Sequence, residues 1–348
     1  MKISACYATA WLWLLFAAVS GAQAAAEPAA PRIAQELLQP HLVRLGDGRR
    51  LNFTCVGSGS PTVVFEQGGE GMIFNWAKVQ PAVSAMSRTC FYDRGGFGWS
   101  DPPRYPVTAR SVTDDLHALL RQARVKGPIV LVGHSIGGFY ATMYADRFPS
   151  EVAGLVLVDP GFSGQSSGAV AERANVDQAN IRRGEGYLLQ CAELAKTGRL
   201  TTANLAENRC FPLPPDAVGA EEQRYALHAI TNAAWYEAEH SQSVNYFSAD
   251  QDLSVSQRQA RDAARPFGAL PLIVLSRARV QNEPWRTRDE NQAYLERWRA
   301  GHAALAARSS RGRLLVVPNS GHFIQKDQPQ AVIEAVREVL TAARAGPD

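Results

Sequence analysis

The stretch from Ile129 to Val158 constrains the fold of this chain more than any other. Ile129–Val132 is an unbroken apolar run, followed at once by Gly133-His134-Ser135-Ile136-Gly137-Gly138. Ile136–Phe148 then has the length and composition of a helix and stops before Pro149, and Val152–Val158 (VAGLVLV) is a second apolar run. Strands that are apolar at every position, rather than at every second one, are covered on both faces and belong to parallel sheets flanked by helices. Strand, helix and strand in direct succession call for a right-handed crossover. The expected fold class is therefore α/β, with a mostly parallel, doubly wound sheet.

The remaining elements extend that rhythm on both sides. His41–Leu45 and Arg49–Val56 read as two strands around the turn Gly46-Asp47-Gly48, and Thr62–Phe65 is a short strand running into the loop Gln67-Gly68-Gly69-Glu70-Gly71. A helix over Phe74–Ala85, a strand over Arg88–Tyr92 and a helix over Thr113–Ala123, capped by Thr113 or Ser111, follow. From Phe162 to about Phe267 the rhythm breaks: Ala, Glu, Gln and Arg occur in helical proportions without a strong strand signal. Leu272–Leu275 and Leu314–Val317 resume the buried strands on either side of a helix through Trp285–Ala307, and a last helix covers Gln330–Ala343. This organisation is one core domain, 41–348, carrying a helical insertion at about 162–267.

The amino terminus reads differently. Lys2, the apolar run Ala10–Val19 and the small-residue pattern Ala22-Gln23-Ala24 have the form of a cleaved export signal over residues 1–24. An uncleaved membrane anchor is the alternative, but a spanning helix needs roughly 20 mainly apolar residues. Residues 25–40, rich in Ala and Pro, are expected to form a flexible lead-in. The expected location is periplasmic or secreted, with no integral membrane span in the mature form. Four of the five cysteines, Cys55, Cys90, Cys191 and Cys210, would remain after cleavage. In an oxidising compartment they allow two disulfides in three pairings, with buried free thiols as the other reading. Cys191 and Cys210 lie 19 positions apart inside the insertion, which favours their pairing. The formal charge of +3 falls to +2 without Lys2, and there is no basic run or aromatic-basic stripe, so nucleic acid is not an expected partner. No residue cluster suggests a metal or organic cofactor, and nothing in the chain specifies an oligomeric state.

The chemistry-bearing segment is Gly133-His134-Ser135-Ile136-Gly137. A serine at a sharp strand-to-helix turn is held with its hydroxyl exposed near a helix N-terminus, where the dipole favours developing negative charge. Gly133 and Gly137 flank it because side chains would collide in so tight a bend. The isolated pattern is common; the strand before it and the helix after it supply the context that makes Ser135 a candidate nucleophile.

With this segment, Tyr92-Asp93-Arg94-Gly95-Gly96-Phe97-Gly98-Trp99-Ser100 and Ser320-Gly321-His322 complete three motifs in order, and the chain resembles the α/β-hydrolase superfamily over nearly all of its mature length. The resemblance implies an α/β-hydrolase fold with the insertion as a cap over the site. It also implies that the second and fourth strands are neighbours, which favours a Cys55–Cys90 bridge. In that fold the chain order is nucleophile, acid, histidine, and His322, in a loop after a late buried strand, satisfies it. The acid is less regular. Relatives often carry it after the strand corresponding to Leu272–Leu275, but no aspartate follows closely here. Asp159, at the end of Val152–Val158, is favoured, with Glu283 and then Asp289 or Glu290 as alternatives. The anion site would use the backbone amides of Ile136 and Gly69, the latter by analogy with the relatives' His-Gly loop. Asp93 and Arg94 are read as holding the loop after the fourth strand. Trp235, Tyr236, Tyr246 and Phe247 are candidate pocket-lining aromatics, with packing inside the cap as the equal alternative.

The function these features imply is that of a serine hydrolase cleaving a small-molecule carboxylic ester, or a related acyl bond, through an acyl-serine intermediate. A non-catalytic binding protein on the same scaffold and a cofactor-free perhydrolase are the alternatives. Serine at position 135 disfavours the aspartate-nucleophile dehalogenases and epoxide hydrolases.

Overall fold

A computed structural model describes residues 32–165, 171–215, 219–247, 253–284 and 286–346. The expected leader, the first part of the lead-in and Trp285 lie outside the described residues. Among those residues, β1 (Leu42–Arg44), β2 (Arg50–Val56), β3 (Val63–Glu66), β4 (Thr89–Tyr92), β5 (Ile129–His134), β6 (Val152–Val158), β7 (Leu272–Arg277) and β8 (Gly312–Val317) form one sheet in the order β1-β2-β4-β3-β5-β6-β7-β8. The pairs β1–β2 and β2–β4 are antiparallel, and every pair from β4–β3 to β7–β8 is parallel. The apolar runs within β3, β5 and β6 lie at the centre, as sheet strands buried on both faces must.

Helices cover the two faces. α1 (Gln80–Met86), α2 (Ala109–Gln122), α3 (Ile136–Arg147), α8 (Arg288–Ala306), α9 (Ile324–Asp327) and α10 (Pro329–Ala345) connect or follow the strands. The two largest apolar clusters result, one containing Val63, Phe65, Val130, Val132 and Val336, the other Val64, Leu131, Leu155, Leu157 and Tyr144. Alternate residues of one strand thus feed opposite cores, as the two-residue period of a strand requires.

Three expectations need adjustment. The helix expected over 74–85 is split into a 3-10 turn, Ile73–Trp76, and α1, whose second residue is Pro81; proline lacks the amide donor that a helix interior needs and is tolerated in the first turn. α2 begins at Ala109 under a Thr108 cap, with Ser111 bonding back to the Thr108 amide, while Thr113 Oγ1 donates to Ala109 O from inside the helix. The described part of the expected flexible lead-in is packed: Ile33, Leu37 and Leu38 are buried in the first core cluster, and Arg32 pairs with Glu222. Three apolar side chains in six residues offset the entropy of ordering that short segment.

Between β6 and β7 the chain forms α4 (Ala171–Lys196), α5 (Ala220–Ile230), α6 (Ala233–Tyr246) and α7 (Val255–Ala263), with no strand among the described residues. Disulfides join Cys55 to Cys90 and Cys191 to Cys210. Cys55 and Cys90 face one another directly in the β2–β4 register, so the bridge staples adjacent strands. Among the described residues, no helix is long and apolar enough to cross a membrane.

Candidate active site

Six parallel strands end on the same edge of the sheet, the edge where open α/β sheets bind ligands. The turn from β5 into α3 puts Ser135 there with φ 56° and ψ −125°, a region that costs a non-glycine residue backbone strain. Its neighbours hold it: Ser135 N donates to Val158 O at 3.1 Å, and Ser135 O accepts from Gly138 N and Gly161 N. The flanking glycines are required by close approach. A Cβ on Gly133 would stand 2.6 Å from Gly137 O, and one on Gly137 would stand 2.3 Å from Gln67 O. Removing the side chain at 137 is therefore what lets the loop after β3 lie directly against the turn.

His322 follows β8 and reaches both predicted partners. Its Nε2 is 2.9 Å from Ser135 Oγ, and its Nδ1 is 2.6 Å from Asp159 Oδ2. Nδ1–H donating to the carboxylate leaves Nε2 as the acceptor for the serine hydroxyl. Asp159 immediately follows β6 and is fully buried. Besides His322, it accepts from Arg277 N at 3.0 Å, Arg277 Nη1 at 2.7 Å and Trp298 Nε1 at 3.0 Å. Burial opposes ionisation of this carboxyl, but the His322 hydrogen bond and charge, with Arg277 and His302, hold it well below the usual carboxylate range. The other candidate acids are elsewhere engaged. Glu283 accepts from Gln281, Glu290 accepts from the Thr287 amide at the start of α8, and Asp289 is exposed in the first turn.

Gly69 lies in the loop after β3, and Ile136 is the first residue of α3. Arg94 organises that loop. Its Nη1 donates to Gln67 O at 2.6 Å, and its Nη2 to Gly68 O at 2.6 Å and Gly69 O at 3.1 Å. The guanidinium is buried and paired with Glu66 at 2.9 Å, and Glu66 also accepts from the Tyr92 hydroxyl. Burial pushes the Glu66 carboxyl up, with the Arg94 charge opposing. Arg94 thus holds the loop after β3, whereas Asp93 does hold the loop after β4, accepting from Trp99 N and Asn52 Nδ2 at 2.9 Å each. Burial pushes Asp93 up to about 6 against the Tyr225, Trp99 and Asn52 hydrogen bonds.

The sequence did not single out four contributors. Arg277 stands at the end of β7, where relatives often place the acid, and Trp298 comes from α8. His134 Nε2 lies 2.9 Å from His322 O, so the residue before Ser135 braces the histidine loop. Burial lowers His134 to about 3, so the ring is neutral and donates from Nε2. Glu239 of α6 sets Oε1 3.5 Å from the position of a Gly69 Cβ and accepts from Gln242 Nε2 at 2.8 Å. Burial pushes its carboxyl up to about 8, Arg94 opposing and Glu70 adding to the rise. Of the expected pocket aromatics, Trp235, Tyr236 and Tyr246 are buried in packing contacts, with Trp235 on Phe97, Phe211 and Tyr236. Phe247 is exposed.

Known proteins share this architecture. A model of the alpha/beta hydrolase family matches residues 68–335. An uncharacterised protein of Schizosaccharomyces pombe is 48% identical over 83 residues, which are 24% of this chain and only 16% of that protein. An uncharacterised Bacillus subtilis protein is 24% identical over 287 residues, 82% of this chain and 86% of its own length. Among solved structures, a thermophilic esterase from Thermogutta terrifontis superposes with a TM-score of 0.55 at 21% identity, over 88% of this chain and 99% of that one. With a family match over well more than half of its length and the sheet order described above, the chain belongs to the alpha/beta hydrolase family.

Proposed function

We propose that the protein is an exported serine hydrolase that cleaves a small-molecule carboxylic ester, or a related acyl bond, with Ser135 as nucleophile, His322 as base and Asp159 as acid. One observation carries the reading: His322 bridges the Ser135 hydroxyl and the Asp159 carboxylate at 2.9 and 2.6 Å. Neither contact follows from packing alone, because the three residues leave different strands. The esterase likeness adds the fold, and the disulfides support passage through an oxidising compartment, periplasmic or extracellular. The helices between β6 and β7 would form the cap, with α5 and α6 reaching Asp93 and Glu70 through Tyr225 and Trp235.

The reaction would run as acyl transfer to water. Ser135 Oγ forms a bond to the substrate carbonyl carbon while its proton passes to His322 Nε2, and the carbonyl electron pair moves onto oxygen. The amides of Ile136 and Gly69 would hold that oxyanion. Collapse expels the alcohol, which takes the proton from Nε2, and a water activated by the same nitrogen releases the acid. Asp159 would fix the ring and stabilise the imidazolium without accepting its proton.

A fluorophosphonate probe tests the assignment together with p-nitrophenyl esters of increasing acyl length. The expected result is an adduct on Ser135 and ester turnover that falls by about 1,000-fold or more in Ser135→Ala. A folded wild-type protein that forms no adduct and cleaves no ester refutes the reading in favour of a binding protein.

A further inference from the structure

We propose that Arg94 is a positioning residue that sets the oxyanion hole, by fixing three successive carbonyls of the loop after β3. The inference rests on the serine-hydrolase reading. A peptide unit is planar and trans, so a carbonyl and the amide of the next residue point in opposite directions. Arg94 captures the carbonyls of Gln67, Gly68 and Gly69 from one side. The amides of Gly68, Gly69 and Glu70 must then face the other way. Among the described residues none of these three amides donates to a backbone or side-chain acceptor, although the loop lies against the turn that carries Ser135.

The cap side of the loop is held in the same sense. Gln242 Nε2 donates to Gly69 O at 3.3 Å and Trp235 Nε1 to Glu70 O at 3.2 Å. The guanidinium suits the larger task because its planar fork puts two nitrogens over adjacent carbonyls while Glu66 balances its charge. The fork is fixed further by the rings of Phe97 and Tyr140, 4.9 and 5.6 Å from its central carbon. Preorganised donors stabilise a transition state because they need no rearrangement as charge develops. The loop is glycine-rich, and its own turn bond, Gly71 N to Gly68 O at 3.1 Å, fixes only one of the three carbonyls.

The test compares wild type with Arg94→Lys and with the double variant Arg94→Met, Glu66→Gln. Lysine keeps the charge opposite Glu66 but offers one nitrogen in place of the fork; the double variant removes the buried charges together, so neither carboxylate nor cation is stranded. Measured are thermal stability, kcat and KM on a p-nitrophenyl ester, and affinity for an alkyl boronic acid, whose adduct with the serine mimics the tetrahedral anion. The expected result is kcat lower by about 100-fold at unchanged KM, with boronate affinity falling in parallel, in whichever variant melts near wild type. Turnover within about threefold of wild type in a stable variant overturns the proposal, as does a loss confined to KM. Wild-type labelling of Ser135 is recorded alongside, so that failure of the hydrolase reading is seen separately from failure of this one.

Discussion

Replacing Asp159 by asparagine should damage folding and turnover through different atoms, and a second substitution should separate them. Asparagine keeps one oxygen, which still serves the two donors now on Oδ1, Arg277 N and Trp298 Nε1. Where Oδ2 stood, an NH2 would face Arg277 Nη1 and His322 Nδ1, both donors today. The imidazole can answer only by moving its proton to Nε2, and it then presents a donor to the Ser135 hydroxyl instead of a base. A wrong tautomer of this kind costs a serine hydrolase about 10,000-fold in kcat. The stability loss has another source. Arg277 is 3% exposed in its side chain, and losing its carboxylate leaves a buried, unbalanced charge, which costs roughly 3–5 kcal/mol. Against a typical stability of about 5–15 kcal/mol, Asp159→Asn alone should sit near the edge of folding. Adding Arg277→Met removes the stranded charge. Urea unfolding followed by tryptophan fluorescence should then show most of the loss recovered, while p-nitrophenyl ester turnover stays down by thousands of fold. Asp159→Asn with turnover within tenfold of wild type would move the acid to another residue. A double variant no more stable than the single one would refute the assignment of the lost stability to Arg277.

Two further outcomes follow from groups outside the proposed triad. Glu239 is protonated below about 8 and sits beside Gly69, so its ionisation places negative charge where the proposed oxyanion would form; kcat should fall as pH rises through about 8, and Glu239→Gln should flatten that limb. Because its folded value lies above the ordinary 4.5, the stability it contributes is full below about 4.5 and is lost as pH climbs towards about 8, so Glu239→Gln should gain on wild type in melting temperature between pH 5 and pH 9. The Cys191–Cys210 bridge closes 19 positions and should contribute about 3 kcal/mol through the unfolded chain. Cys191→Ser with Cys210→Ser should therefore raise hydrogen exchange in α4 and the loop to Cys210, with fluorophosphonate labelling of Ser135 retained; unchanged exchange there would count against a restraining role.

What was legible in the sequence divides along a physical line. Val152–Val158 was readable to the residue, because a strand covered on both faces needs an unbroken apolar run and ends where that run ends. That Ser135 and His322 would be brought together was readable, because a strained turn needs its glycines and because this fold fixes the order of its loops. The expectation over 74–85 failed where Pro81 competes with apolar spacing, and residues 33–38 looked loose because three buried side chains are too few to make a period. Arg277 was not legible as a contributor at all, and Arg94 was read onto the wrong loop. Their partners lie 25 to 118 positions away, and nothing local distinguishes a guanidinium that will fork over carbonyls from one that will sit in solvent.

The position of the proposed acid then has a structural explanation. β6 and β7 are parallel neighbours with Val158 opposite Leu275, so their carboxyl ends stand about 4.8 Å apart, within the reach of one side chain. An acid leaving either strand can therefore meet the same imidazole nitrogen. Once Asp159 occupies that place from β6, the end of β7 must satisfy a buried carboxylate rather than supply one. It does so twice from one residue, through the Arg277 amide and the Arg277 guanidinium, and Trp298 on α8 adds a third donor. A second acid at position 277 would confront Asp159 across one strand spacing in a site closed to water, where like charges cannot both ionise. Acid at the end of one strand and cation at the end of the next are thus a single arrangement: exchanging the two roles requires both substitutions together, and either alone leaves a buried charge without its partner.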